Sequence, residues 1–221
     1  MKRILLVFIV AAFFKNSYAQ GSITFSDKPF EMALPVDTSI ENQLKNNKFF
    51  TSLTPEEQKV MYWINYVRQK PQAFCTQILN PFLQQFPETK SAYSRSLVSQ
   101  LMAGNPVSSL LPSEKLNTIA ASHATDLGGK GLSISHSSSS GQSFQQRMNT
   151  AGLTGCVAEN IYEGRLTPLE SVIFLLIDHG VKNVGHRKNL LDPNIKKFGV
   201  AFYPIKGKRD MYFLVQDFAC E

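Results

Sequence analysis

The order in which helical and alternating patterns follow one another is the feature that most limits the fold of this chain. Apolar residues repeat at helical spacing in several segments before residue 130, and Val157 to Glu163 then alternates as a strand. Another apolar helical segment follows, and two strand-like segments, Phe198 to Tyr203 and Met211 to Phe218, end the sequence around a turn at Pro204 to Asp210. This order predicts an α+β fold in which helices cover a small, mainly antiparallel sheet.

The predicted helices are bounded by capping and breaking residues. The motif TPEE at 54–57 combines a cap residue, proline at the first helical position and glutamate at the capping-box position, and the helix it begins is expected to last until Pro71. The other predicted helices cover 72–79, ending before Asn80-Pro81; 89–102; 113–127, ending at Gly128-Gly129; and 167–177.

Residues 1–19 have the organisation of a secretory signal. Two basic residues, Lys2 and Arg3, precede an apolar run from Ile4 to Phe14, and the small residues Ser17 and Ala19 stand where a signal peptidase reads. The apolar run is too short to cross a membrane, and no later run approaches the roughly 18 residues that a span requires. We therefore expect cleavage after Ala19, no membrane span, and secretion to the extracellular or periplasmic space.

The remaining chain divides into two parts by its pattern. Residues 20–53 show neither helical nor alternating periodicity, which predicts an extended N-terminal arm, and residues 54–221 are expected to form one domain. The sequence is 43% hydrophobic and 18% charged, which excludes intrinsic disorder of the whole chain.

Positive charge is concentrated near the C-terminus. Between Lys182 and Arg209 there are eight basic residues against the single acid Asp192. This stretch is either a patch for an acidic partner such as an anionic glycan or lipid surface, or a solvated loop and hairpin face, and the second interpretation is favoured. No nucleic-acid partner is expected for an exported chain.

The three cysteines, Cys75, Cys156 and Cys220, are an odd number for an oxidising compartment. One disulfide with one remaining thiol is the simplest outcome, and the sequence does not choose the pair.

Few residues are candidates for chemistry, because the chain has only four histidines. His136 and His186 stand at junctions between loops and regular elements, where side chains tend to reach clefts. His179 ends an apolar helix and is expected to be exposed, whereas His123 lies on an apolar stripe and is expected to be a hydrogen-bonded core histidine. Glu159 shares a strand face with apolar residues, so its charge requires a partner, either a basic residue or an imidazole.

A second carboxylate is supplied by Asp178, eight residues before His186. Two imidazoles and two carboxylates suit a metal site, acid–base pairs or a buried structural network, and spacing alone does not choose among these.

Four motifs in a fixed order resemble those of the CAP superfamily, which contains cysteine-rich secretory, antigen-five and pathogenesis-related proteins (SCP-like domains). The resemblance, closest to bacterial members, runs from about Thr54 to Phe218 and includes Ile64, Asn65 and Arg68 of the first helix and the terminal motif VQDF at 215–218. The four motifs are SH at 135–136, AENI at 158–161, GHRKNLL at 185–191 and FGVAF at 198–202.

This resemblance implies a three-layer α-β-α sandwich with a surface cleft that carries two histidines and two acids. His136, Glu159 and His186 match the family motifs, and Asp178 takes the place of the second acid, usually a glutamate. His136 and His186 are then the candidate metal ligands, with Zn²⁺ the candidate ion, and Glu159 is the candidate catalytic residue if the protein is an enzyme.

Three functions from different classes follow from these expectations. The favoured one is a secreted protein that binds an extracellular lipid, glycan or protein partner through this cleft, which would hold a divalent cation. The alternative is a zinc-dependent hydrolase of peptides or esters, with His136 and His186 on the metal and Glu159 as base. The third is a purely structural domain in which the four residues tie the layers together.

Overall fold

A computed structural model describes residues 30–221 of the chain, so the expected signal sequence and its cleavage site lie outside the described residues. In this part, four strands form one sheet in the order β1-β3-β4-β2. Strand β1 pairs parallel with β3, and the other two pairings are antiparallel. The strands are β1 Leu111–Pro112, β2 Val157–Gly164, β3 Lys197–Pro204 and β4 Tyr212–Ala219.

Helices cover both faces of the sheet. The helices are α1 Thr38–Lys45, α2 Pro55–Gln69, α3 Pro71–Phe74, α4 Asn80–Gln85, α5 Ala92–Ala103, α6 Glu114–Lys130, α7 Phe144–Thr150, α8 Pro168–Ile177 and α9 Gly185–Leu191. The larger core lies between the sheet and the helices α1 to α5, α8 and α9, and a smaller one lies between the sheet and α6. The α+β, three-layer α-β-α architecture expected from the sequence is confirmed.

Helix α6 lies directly on strand β3, and two glycines permit this close approach. A Cβ on Gly199 would lie 2.0 Å from the backbone nitrogen of Asn117. A Cβ on Gly128 would lie 2.6 Å from the carbonyl oxygen of Pro204. The prediction that Gly128-Gly129 ends this helix is wrong: the helix continues to Lys130 and ends at Gly131, whose φ of 63° is left-handed.

The expectation of an extended arm over residues 20–53 is wrong for residues 38–53. Asp37 caps α1, and Ile40 and Leu44 are buried on its inner face, followed by Phe50 and Leu53. Two apolar residues four positions apart are enough to anchor an eight-residue helix against a core, although they give a weak periodic signal.

Other differences concern short elements. The helix expected to end before Asn80-Pro81 instead passes through a π-helical turn at Cys75–Leu79 into α4, where Pro81 occupies the first turn and needs no hydrogen-bond donor. The two-residue strand β1 and the seven-residue helix α7 were not predicted because neither is long enough for a periodic pattern.

The disulfide links Cys156 and Cys220, and Cys75 is a buried free thiol, so the expected single disulfide is confirmed. This bond joins the start of β2 to the end of β4. No helix within residues 30–221 has the length and apolarity needed to cross a membrane.

Candidate functional site

The first pair, His136 and Glu159, is formed at the α6 side of the sheet. Glu159 lies on β2, an edge strand, on the same face as Ile161, which packs with α6. The Nδ1 atom of His136 donates to Oε1 of Glu159 over 2.8 Å. The Glu159 side chain is 1% exposed and the imidazole 48% exposed, so a buried acid orients an accessible ring.

Arg147 completes this pair, and sequence reasoning missed it. Its Nη2 atom donates to Oε2 of Glu159 over 2.5 Å, and its Nη1 atom donates to the carbonyl oxygen of His136 over 2.8 Å. The partner of Glu159 was expected to be either a basic residue or an imidazole, and the structure provides both. Arg147 was missed because α7, which carries it, is too short to be recognised from periodicity.

Asp217 is a second buried acid beside Glu159. The two residues lie opposite each other in the antiparallel ladder of β2 and β4, and Asp217 is completely buried. Neither carboxylate oxygen of Asp217 meets a hydrogen-bond donor within residues 30–221. Burial raises the pKa of Asp217 well above its ordinary value, the negative charge of Glu159 raises it further, and Arg147 acts in the opposite direction. Burial beside Glu159 therefore favours the protonated form of Asp217.

His123 lies nearby and is a core histidine, as predicted. It is 1% exposed, and its Nε2 atom donates to the carbonyl oxygen of Ser135 over 2.8 Å. Burial lowers its pKa, which keeps the ring neutral and leaves Nδ1 unprotonated. His179, also as predicted, is exposed, and its ring packs against Tyr93 at 5.3 Å between centroids.

The other two candidate residues, Asp178 and His186, form a second pair at the start of α9. The Nδ1 atom of His186 donates to Oδ1 of Asp178 over 2.7 Å. The other carboxylate oxygen accepts the backbone N–H groups of His186, at 2.9 Å, and Arg187, at 3.4 Å. Asp178 therefore satisfies two of the free amides at the N-terminus of this helix, and the His186 side chain is only 13% exposed.

Neighbouring residues fix the second pair further. Arg187 is 2% exposed, and its guanidinium donates to the carbonyl oxygens of Leu176, Ile177 and Tyr93. Asn160, the neighbour of Glu159, donates to the carbonyl oxygen of His186 from the opposite face of β2. The two pairs thus belong to opposite sides of one edge strand.

The motif residues of the first helix have the same kind of role. Arg68 is 1% exposed and donates to the carbonyl oxygens of Ser108, Leu190, Asp192 and Ile195, and burial lowers its pKa to about 10. The Asn65 side chain bonds both backbone groups of Leu110. These residues hold the end of α9 and the neighbouring loops in place.

A zinc site does not fit the donor set of the described chain. Zinc sites in proteins have at least three protein ligands, and residues 30–221 contain no group of three or more His, Cys, Asp and Glu side chains arranged to hold a metal ion. His136 and His186, the candidate metal ligands, each use Nδ1 to bond their own acid.

The basic stretch from 182 to 209 does not form one continuous set of free charges. Arg187 is buried, Lys208 pairs with Glu163, and Lys196 bonds the carbonyl oxygen of Pro193 over 2.6 Å.

Comparison with known proteins gives one family. The model of the CAP cysteine-rich secretory protein family matches residues 61–218. No curated protein matches the sequence significantly.

Solved structures give remote similarities. An extracellular protein with an SCP domain from Bacillus anthracis is 17% identical with a TM-score of 0.38, over 76% of this chain and 44% of that one. An outer surface protein from Borrelia burgdorferi is 19% identical with a TM-score of 0.41, over 51% of this chain and 78% of that one. A cysteine-rich secretory protein from Staphylococcus aureus is 16% identical with a TM-score of 0.36, over 63% and 40%. This chain therefore spans less than half of the first and third structures.

Proposed function

Because this chain belongs to the CAP family of cysteine-rich secretory proteins, we propose that it is exported and binds a lipid, glycan or protein partner outside the cytoplasm. Two features support export. Residues 1–19 have the pattern of a secretory signal, and Cys156 and Cys220 form a disulfide, a bond that persists in oxidising compartments.

The observation that carries the binding function is the half-exposed imidazole of His136 on a buried ionic support. Because Nδ1 bonds Glu159, Nε2 is the ring nitrogen that remains for a hydrogen bond with a ligand. Arg147 holds both the Glu159 carboxylate and the His136 backbone, so little side-chain entropy is lost when a ligand meets the ring. The 48% exposure of the ring favours a binding role over a purely structural one.

We do not propose the zinc-dependent hydrolase. It requires a third protein ligand beside His136 and His186, and the described part of the chain offers no such group.

The test is binding by the oxidised mature chain, residues 20–221, to three classes of probe. These are vesicles of phosphatidylcholine or phosphatidylglycerol, an array of neutral and acidic glycans, and proteins secreted by the source organism, with binding followed by interferometry. We expect binding within one class that His136→Ala weakens at least tenfold. His179→Ala removes an exposed imidazole elsewhere and is the matched control. An absence of binding in all three classes contradicts the proposed function, and equal binding by the wild type and His136→Ala contradicts the assigned site.

A further inference from the structure

A surface depression of about 480 Å³ is formed by residues of the segment 140–150, which follows His136 in the sequence, and all its lining residues are small or polar and uncharged. It lies between the serine-rich turn at 137–142 and the outer face of α7. Between Ser137 and Cys156 the only charged residue is Arg147, whose side chain is 8% exposed. The lining residues are Ser140, Gly141, Gln142, Gln146, Asn149 and Thr150.

Both walls of this depression are held in place by contacts with the domain. The backbone N–H and hydroxyl of Ser139 donate to the Asp126 carboxylate on α6 at 2.6 and 2.5 Å. Gly141, at a φ of 83°, turns the loop back towards α7. Arg147 and Met148 bury the inner face of α7. The depression is thus formed before any ligand arrives, which lowers the entropy lost on binding.

Internal hydrogen bonds fix how three amide side chains are oriented. Oε1 of Gln146 accepts the N–H of Ser143, and Oδ1 of Asn149 accepts Nε2 of Gln145, which leaves the NH₂ group of each amide without a partner among residues 30–221. Nε2 of Gln142 donates to the Thr150 hydroxyl over 3.4 Å, which leaves Oε1 of Gln142 as an acceptor. Two donor groups and one acceptor therefore line one depression.

We propose that this depression is a subsite for a neutral glycan, and this inference rests on the proposed binding function and deepens it. A vicinal diol both donates and accepts hydrogen bonds, which matches amide groups of both kinds. An anionic ligand would meet no cation among the lining residues, and an acyl chain would meet no large apolar side chain. Arg147 Nη1 bonds the carbonyl oxygens of His136 and Gln142, so the subsite and the imidazole share one support.

The experiment measures binding of the mature disulfide-bonded chain to an array of neutral, sialylated and sulfated glycans, with the phospholipid vesicles in parallel. The strongest neutral glycan is then titrated against Gln146→Leu and Asn149→Leu, which replace a free donor with a side chain of similar size. Gln84→Leu makes the same change at an exposed position of α4 and is the matched control. We expect each subsite variant to bind at least tenfold more weakly, and Gln84→Leu to bind like the wild type. We also expect the affinity of the wild type for the neutral glycan to change little between 50 and 500 mM salt, because no ion pair is involved.

The outcomes separate this inference from the proposed function. If both subsite variants still bind the neutral glycan, the inference is overturned and the proposed function stands. The same holds if the wild type binds only acidic glycans, vesicles or proteins. Binding to nothing contradicts both. Circular dichroism of the variants excludes misfolding as the cause of a loss.

Discussion

The two histidine–acid pairs have the same composition and opposite surroundings. Both acids are buried, but the imidazole of His136 is 48% exposed and that of His186 is 13% exposed. Glu159 receives its further hydrogen bond from the side chain of Arg147, whereas Asp178 receives its further bonds from backbone N–H groups.

From this difference we infer that the two pairs have separate roles. Asp178 and His186 fix the end of α8 to the start of α9, together with Arg187, and they have the environment of a buried polar network that stabilises one arrangement of loops. Glu159 and Arg147 hold a ring whose free edge is accessible to a partner. We therefore expect changes in the second pair to affect stability, and changes in the first to affect binding.

The largest effect is expected from Asp178→Ala. Removal of the carboxylate leaves the Nδ1 atom of His186 and two backbone N–H groups without an acceptor, and alanine is disfavoured at the left-handed φ of 56°. We expect the free energy of unfolding at pH 7 to fall by about 3 kcal/mol in urea denaturation, as for other buried donors that lose their partner.

Two further variants test this reason. Asp178→Asn retains an acceptor and tolerates the left-handed backbone, so it should lose about 1 kcal/mol. Glu88→Ala removes an exposed acid and should change stability by less than about 0.5 kcal/mol. A loss below about 1 kcal/mol for Asp178→Ala would show that this pair does not hold the loops.

An intermediate effect should separate the two imidazoles directly. His186→Ala removes a mostly buried ring and leaves Asp178 short of a donor, so we expect a loss of about 2 kcal/mol. His136→Ala removes a half-exposed ring while Arg147 still neutralises Glu159, so we expect a loss of about 0.5 kcal/mol or less. Urea denaturation of both variants measures these losses, provided that their m-values equal that of the wild type. Equal losses of the free energy of unfolding would remove the distinction between the pairs.

The sequence singled out all four side chains, from local pattern and from the family resemblance, but it did not predict how they pair. Glu159 interrupts an apolar strand face, which demands a partner, and His136 and His186 stand at loop junctions. The α+β layout followed from the order of long periodic segments, which survives errors of a few residues at each helix end, whereas the three-layer α-β-α arrangement followed from the family resemblance.

What the sequence did not predict depends on contacts between distant positions. Arg147 lies twelve residues from Glu159 on a helix too short to be recognised, and nothing local indicates that its guanidinium is buried. The sequence does not show that Asp217 lies opposite Glu159, because that position depends on the register in which β2 pairs with β4. Arg187 was counted with the surface bases because a basic residue carries no sequence mark of burial.

A smaller effect than that of His186→Ala, and one that would sharpen the description of the first pair, is expected from Asp217→Asn. Burial and Glu159 raise the pKa of Asp217 in the folded chain, so the folded state keeps a proton that the unfolded state loses above about pH 4. The wild type therefore loses stability as pH rises from about 4 to the folded-state pKa, and the neutral amide of asparagine does not. We expect the variant to be more stable by about 1 kcal/mol at pH 7. That advantage should shrink towards zero near pH 4, as urea denaturation across this range would reveal.

Asp210→Asn changes an exposed acid that already has a left-handed backbone, and it should show no such trend. A pH-independent difference, or a loss of stability at pH 7, would mean that Asp217 is ionised in the fold and that Arg147 neutralises two carboxylates rather than one.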